Sequence, residues 1–190
     1  MRRRGIVPAS VLGLSLLALA LLLVGCPGGE EAPAPEEAPD EAQSPIVQDV
    51  TAADLYFPTH SGFLGVERRK MDLTGTPEEQ IRLLVEALLA GPEEPGHDRA
   101  FAEGVTLAEV YAAEDGTAYV DLASPEAQEP PGTGSMHEMQ IVYSLVNTVA
   151  LNVPGVERVA LLWNGRQRLT FAGHLDTSVP LAPQTELVSR

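Results

Sequence analysis

The stretch TPEEQIRLLVEALLAGP, residues 76–92, determines the fold class more firmly than any other part of the chain. Thr76 suits the N-cap of a helix, Pro77 suits its first position, and Glu79 suits the reciprocal place of a capping box. Apolar side chains then recur every three or four residues on one helix face: Ile81, Leu84, Val85, Leu88 and Leu89. Gly91 and Pro92 end the helix. Such an apolar face must be covered, and we expect a sheet to cover it.

The elements around this helix predict strands. Residues 54–57 have the composition of a short strand that ends at Pro58, and residues 66–73 that of a second strand at a sheet edge. Charged side chains protect such an edge from aggregation, here Glu67, Arg68, Arg69 and Lys70. Residues 105–111 and 117–122 form a predicted hairpin, because Asp115-Gly116 between alternating apolar runs is a strong turn signal.

A second helix and hairpin follow. Ser135 suits an N-cap, with Glu138 completing a second capping box, and the helix ends near Asn152. Its inner face is predicted to consist of Met139, Val142, Val146 and Val149, with Leu145 and Ala150 alongside. Residues 156–163 and 166–171 pair across Asn164-Gly165, a type I′ signal. We expect one compact α+β domain over residues 52–172, a mixed sheet with two helices packed on one face, followed by a C-terminal tail, residues 173–190.

Residues 1–25 have the composition of a secretory signal peptide, with three arginines before a long apolar stretch. The run Leu23-Val24-Gly25-Cys26 resembles the bacterial lipobox, where a signal peptidase cuts before a cysteine that carries diacylglycerol and palmitate. An uncleaved transmembrane anchor is the alternative, since the apolar stretch is near the lower limit for a span. Cys26 is the single cysteine, and its position favours a lipoprotein held to the cell membrane on the extracytoplasmic side.

Residues 26–51 separate the signal from the domain. They contain five prolines, seven acidic residues and no basic residue, and we therefore predict a disordered tether. Loss of the three arginines with the signal changes the net charge from −15 to −18. This charge makes nucleic acid an unsuitable partner. A basic protein or a divalent cation would fit it.

No catalytic or metal-binding constellation is recognisable. The histidines stand outside any zinc-ligand spacing: His60, His97, His137 and His174. We place His137 on the surface and His174, with Asp176, in a solvated tail. Residues 132–135, Gly-Thr-Gly-Ser, lack the lysine of a P-loop, so they are interpreted as a loop before a helix. Asp121 is interpreted as polar rim. We predict no catalytic residue, no metal and no cofactor.

Several short runs, in order and spacing, resemble the GerMN domain, named after a bacterial sporulation and spore-germination protein. They are Leu55-Tyr56-Phe57, Leu88-Leu89-Ala90-Gly91-Pro92, Val120-Asp121-Leu122, Leu145-Val146-Asn147-Thr148, Pro154-Gly155-Val156-Glu157-Arg158-Val159 and Asn164-Gly165. The resemblance covers residues 54–171. It implies a fold similar to ring-building motifs, frequent occurrence on lipoproteins and no known enzymatic activity. The founding protein has a tandem pair of domains where this chain has one, which leaves ring formation open.

Three functions remain open. The resemblance implies a non-catalytic module that binds a protein partner in a cell-envelope assembly, as related domains do beside a sensor kinase or a sporulation channel. A binder of cell-wall glycan or of a small molecule is the second, with stacking groups Tyr56, Tyr111, Tyr119, Tyr143 and Trp163. A hydrolase with an unrecognised site is the third. Asn147 and Thr148 are expected to bond to a neighbouring loop or to contact a ligand.

Overall fold

Strands and helices follow one another in the order β-β-α-β-β-α-β-β within residues 52–189, the part of the chain that the computed structural model describes. Their bounds are β1 Ala52–Pro58, β2 Leu64–Lys70, α1 Pro77–Ala90, β3 Thr106–Ala112, β4 Thr117–Ala123, α2 Ser135–Ala150, β5 Arg158–Trp163 and β6 Arg166–Gln167. A 3₁₀ turn, Thr185–Leu187, follows. The predicted signal peptide, Cys26 and the whole predicted tether, residues 26–51, lie outside the described residues.

Helix α1 forms as its local signals predict. The Thr76 hydroxyl accepts a hydrogen bond from the Glu79 N–H at 3.3 Å, and the Glu79 carboxylate accepts one from the Thr76 N–H at 2.8 Å. The buried face consists of Ile81, Leu84, Val85 and Leu88. The helix ends at Gly91, whose φ of 98° is open to glycine and strained for other residues.

The strands form two sheets. Strands β3, β4, β5 and β6 lie side by side in this order, with β4 and β5 parallel and the other two pairs antiparallel. Strands β1 and β2 pair antiparallel in a sheet of their own. Helix α1 packs against β1 and β3, and helix α2 packs against β1 and β5. The predicted α+β domain with a mixed sheet is confirmed, and the separate first hairpin is an addition to it.

Helix α2 is buried on every side along residues 141–149. Its start differs from the prediction: Gly134, not Ser135, is the N-cap, and no side chain caps the helix. The capping box predicted for Glu138 was wrong. Its carboxylate, which is 0% exposed, instead accepts hydrogen bonds from backbone N–H groups of residues 172–175. Tertiary contacts across more than 30 residues therefore replace the local cap.

The turn of the last hairpin forms as predicted, but the strand after it is shorter than predicted. Asn164 and Gly165 both have positive φ, 50° and 76°, as a type I′ turn requires. The predicted strand 166–171 was too long, since β6 has two residues. The tail lies against both sheets: Leu181 exchanges backbone hydrogen bonds with Val159 of β5, and Ser189 N–H donates to the Leu64 carbonyl of β2.

Candidate functional site

Strand β4 presents one buried and one solvent-facing side, as its alternation predicts. Val120 and Leu122 point into the core, whereas Tyr119 and Asp121 point outward. In the cross-strand register, Tyr119 lies opposite Tyr111 of β3, and Asp121 lies between Glu109 of β3 and Leu162 of β5. We call this surface the tyrosine face: Glu109, Tyr111, Tyr119, Asp121 and Leu162. Together with Val110 these residues line an open groove of about 320 Å³.

Both tyrosines of this cross-strand aromatic pair are open to solvent. Tyr111 is 61% exposed and Tyr119 is 37% exposed. Their ring centroids are 6.2 Å apart with an interplanar angle of 41°, within the range at which aromatic rings attract one another. Each ring therefore packs on its neighbour with one side and offers the rest of its surface to another molecule.

The acidic pair beside the tyrosines is placed where it weakens the sheet. Glu109 and Asp121 are direct cross-strand partners, and like charges opposite each other are destabilising. Among residues 52–189, no lysine or arginine forms an ion pair with either carboxylate. Asp121 accepts one hydrogen bond, from the Gly165 N–H at 2.9 Å. A cationic group from outside would relieve this repulsion.

The open edge of β3 is less available to a binding partner than the tyrosine face is. The Glu78 carboxylate accepts a hydrogen bond from the Ala112 N–H at 3.2 Å, and the strand is bulged between Leu107 and Glu109. Both features discourage the addition of another strand. The face rather than the edge is thus the surface suited to docking.

Glu67 was predicted to be an exposed edge charge, and the structure corrects this. The side chain is buried and accepts hydrogen bonds from Arg69, from the N–H groups of Glu93 and Glu94 at 2.9–3.1 Å, and from His97 Nδ1 at 2.9 Å. Burial alone raises the pKa of this carboxyl, but the hydrogen bonds outweigh it and lower the pKa to about 2. The carboxylate thereby fastens the loop after α1 to β2.

Glu138 fastens a second loop in the same way. Its oxygens accept hydrogen bonds from the N–H groups of Ala172, His174 and Leu175 at 2.7–3.1 Å and from His174 Nδ1 at 2.9 Å. Burial raises the pKa of this carboxyl, and the hydrogen bonds lower it further than burial raises it. His174 is consequently held by Glu138, and was not predicted to be; about half of its side chain remains exposed.

The other side chains named in the sequence analysis are surface histidines and buried aromatic residues. His137 is on the surface, as predicted, and His60 pairs with Asp98 at 2.9 Å. Three of the proposed stacking groups are buried, namely Tyr56, Tyr143 and Trp163.

Within the described range, no three His, Cys, Asp or Glu side chains cluster as metal ligands would. None of the helices in that range combines the length and the apolar character needed to cross a bilayer.

A family model described as Germane, sporulation and spore germination, matches residues 54–169, well over half of the 190 residues. The chain belongs to the Germane family. The GerMN resemblance seen in the sequence is thereby confirmed. No curated protein sequence matches the chain.

Three solved structures share the fold of this Germane domain. The tandem GerMN domains of the sporulation protein GerM from Bacillus subtilis superpose with a TM-score of 0.52 at 20% identity, covering 69% of this chain and 45% of that one. The first GerMN domain of GerM alone gives 0.50 at 18% identity, covering 71% and 98%. A candidate lipoprotein from Clostridium perfringens gives 0.50 at 18% identity, covering 69% and 86%.

The Asn-Thr pair of this Germane domain has a structural role. Asn147 exchanges two hydrogen bonds with the backbone of Gln184, and the Thr148 hydroxyl accepts the Tyr56 N–H at 3.1 Å. Gln140 and Asn152, at helical spacing from Thr148, bind further backbone groups at or beside β1. Within residues 52–189 no strand lies beside the outer edge of β1, and this polar row of α2, which Asn152 extends, satisfies that edge. The predicted bond to a neighbouring loop is confirmed for Asn147, whereas Thr148 binds strand β1 instead.

The row could have been found in the sequence. Gln140, Ser144 and Thr148 recur every four residues along α2, and Asn152 continues this spacing just past the end of the helix. Such a polar stripe on a buried helix must be satisfied inside the fold, because unpaired buried polar groups are costly. The stripe therefore predicts contact with backbone groups of another element.

Proposed function

We propose that this chain is a lipid-anchored extracytoplasmic protein whose Germane domain binds another protein of the cell envelope through the tyrosine face. The observation that carries this proposal is the exposed pair Tyr111 and Tyr119 beside the facing carboxylates of Glu109 and Asp121. The Germane family is associated with sporulation and spore germination and is not a known family of enzymes. We propose that the interaction takes place in a sporulation or germination assembly of the cell envelope.

The chemistry of the face selects the partner. Tyrosine rings attract cations and bury apolar surface, while the paired carboxylates of Glu109 and Asp121 favour an arginine or lysine placed between them. The acidic chain as a whole, with a net charge of −15, would steer a basic surface toward it. The partner is therefore a protein with an exposed basic side chain flanked by apolar surface.

The anchor rests on the residues before Cys26. Leu-Val-Gly ahead of a single cysteine resembles a lipobox, and the fold is shared with a candidate lipoprotein. We propose that diacylglycerol and palmitate on Cys26 hold the protein to the membrane and that residues 26–51 keep the domain away from the surface.

Mass spectrometry of the membrane-extracted protein tests the anchor. The expected result is an amino terminus that begins at a lipid-modified Cys26, and in Cys26→Ala cells the uncut signal should remain. An unmodified thiol in the parent chain would reject the lipid anchor without affecting the interaction proposal.

In-cell photo-crosslinking tests the face. A photoreactive residue at position 111 should capture a discrete envelope protein, whereas the same residue at Arg82, an exposed position of α1, should not. Replacement of both Glu109 and Asp121 by Gln, combined with a crosslinker at position 111, should reduce the yield at least tenfold. Equal capture at positions 82 and 111, or undiminished capture in the double variant, would reject the face as the docking surface.

Glycan binding is a second candidate, favoured by the openness of Tyr111. Titration calorimetry with a panel of muropeptides decides between the two functions. Heat that disappears in Tyr111→Ala would replace the protein partner with a glycan, and silence across the panel would leave protein binding as the function.

A further inference from the structure

The two buried glutamates of the domain differ in their counter-charge. Glu67 has a permanent cation, the Arg69 guanidinium, in addition to His97. Glu138 is equally buried, but within residues 52–189 its only ion-pair partner is His174. A buried carboxylate is costly unless it is paired. Within the described residues, Glu138 thus has no permanent cation beside it, and its charge is held by backbone N–H groups and by His174.

The hydrogen bonds define which nitrogen of His174 is available. An ionised carboxylate only accepts hydrogen bonds, so Nδ1 of His174, at 2.9 Å from the Glu138 carboxylate, carries the hydrogen that it donates. In the neutral imidazole the lone pair is then on Nε2. Histidines that bind metals commonly donate their other N–H to a carboxylate in this manner. The pair thus has the arrangement of a metal-binding histidine and its supporting carboxylate.

Two thioethers share a pocket with this imidazole. The pocket, of about 210 Å³, is lined by Ser135, Met136, Met139, His174 and Leu175. Met136 and Met139 are three residues apart at the start of α2, so they project from the same helix face. Met136 is 53% exposed, and its side chain lies beside Gly62 of the loop between β1 and β2. Thioether sulfur is a soft ligand, and it favours Cu(I) over harder divalent ions.

We propose that the sulfur atoms of Met136 and Met139 and Nε2 of His174 form a Cu(I)-binding site. Three neutral donors of this kind satisfy a monovalent soft cation, and the buried charge of Glu138 balances the charge of the ion. Zinc prefers thiolate, imidazole and carboxylate ligands and should bind weakly here. A search for histidine and cysteine spacings overlooks the site, because two of its ligands are methionines and the third lies 35 residues beyond Met139. The site does not involve the tyrosine face.

Competition with the Cu(I) chelator bicinchoninate under anaerobic conditions tests the site. The full chain is purified in detergent as its Cys26→Ser variant, so that no thiol left unlipidated in the sample can bind Cu(I). One equivalent of Cu(I) should be withdrawn from the chelator, and Zn²⁺ in tenfold excess should not displace it. Copper X-ray absorption should show two sulfur neighbours and one imidazole nitrogen.

Single substitutions assign the ligands. Met136→Leu should weaken Cu(I) binding at least tenfold without unfolding the domain, since the side chain is exposed, and Met139→Leu and His174→Gln should do the same. Glu138→Gln should weaken it about 10- to 100-fold, as loss of a supporting carboxylate does. His137→Gln and Met71→Leu are the matched controls and should bind Cu(I) like the parent. Parent-like affinity in Met136→Leu, an equal loss in His137→Gln, or no retention of Cu(I) by the folded parent would overturn the proposal.

Discussion

Replacement of Glu67 by Gln tests whether one buried carboxylate holds the loop after α1. The carboxylate accepts hydrogen bonds from Arg69, from two backbone N–H groups and from His97. Glutamine keeps the size of the side chain, but its NH₂ group cannot accept hydrogen bonds from the N–H groups of Glu93 and Glu94. It also removes the buried counter-charge of the Arg69 guanidinium, which is itself largely buried and keeps only the exposed Glu93 carboxylate as an ion-pair partner within the described residues.

The size of the loss follows from the pKa of the carboxyl. The folded protein lowers the pKa of Glu67 from 4.5 to about 2, which corresponds to about 3 kcal/mol of stability at pH 7. Removal of one member of a buried ion pair typically costs about 3–5 kcal/mol. We therefore expect the substitution to lower the free energy of unfolding at pH 7 by about 3–5 kcal/mol, a large part of the roughly 5–15 kcal/mol of a typical domain.

The pH dependence has a defined sign. Because the pKa of Glu67 is lower in the folded than in the unfolded chain, its contribution is complete above about pH 4.5 and is lost as the pH falls toward 2. About 2 of the roughly 3 kcal/mol should be gone at pH 3. The glutamine variant lacks this pH-dependent contribution to stability. The difference in stability between parent and variant should therefore shrink on acidification.

Urea unfolding at pH 7 and pH 3, followed by the fluorescence of Trp163, measures both effects, since this single tryptophan is buried. Glu93→Gln is the matched control. The Glu93 carboxylate also contacts Arg69, at 3.5 Å, but its side chain is 76% exposed, so its loss should change the stability by less than about 1 kcal/mol. Equal effects of the two substitutions, or a parent-to-variant difference that grows at pH 3, would refute the role given to Glu67.

The remaining predictions concern backbone contacts, and urea unfolding measures each of them. Asn152→Ala should cost about 1–3 kcal/mol, because it leaves the N–H and carbonyl of Asp54 without their partner. An unchanged midpoint of unfolding would contradict the stabilising role given to the polar row. Gly65→Ala should cost about 1–3 kcal/mol, since the new carbon would lie 2.0 Å from Nε2 of His97. Gly165→Ala should cost about 1 kcal/mol because its φ is 76°, and a stabilised variant would contradict the assigned turn.

The elements that the sequence predicts well are those specified by adjacent residues. The capping box and apolar spacing of α1 lie within 16 residues, and the Asn164-Gly165 turn needs only two. The alternation of β4 likewise predicts which of its side chains face water. Local hydrogen bonds and period carry enough information for such elements, because no distant partner competes for the same groups.

The carboxylates were misjudged because their partners are remote. The backbone groups that Glu67 binds come 26 and 27 residues later, and those of Glu138 come 34 to 37 residues later. A charge near a sheet edge or a helix start can be explained by its neighbours in the sequence. Only the folded chain shows that these carboxylates instead bind backbone N–H groups of a distant loop. The tyrosine face is an intermediate case. Its exposure is predicted by alternation, but the position of Leu162 beside Asp121 depends on the parallel pairing of β4 and β5.

The two carboxylate-bound loops explain how a domain without disulfides keeps its connections in place. Residues 52–189 contain no cysteine, so covalent links are not available to restrain the segments after α1 and after β6. One carboxylate that accepts two or three backbone N–H bonds restrains such a segment at several points and satisfies donors that would otherwise be buried without partners. The cost is a charge placed in the interior, which Arg69 offsets for Glu67. For Glu138, three backbone N–H groups and His174 hold the charge, and together they lower the pKa of this carboxyl although burial raises it.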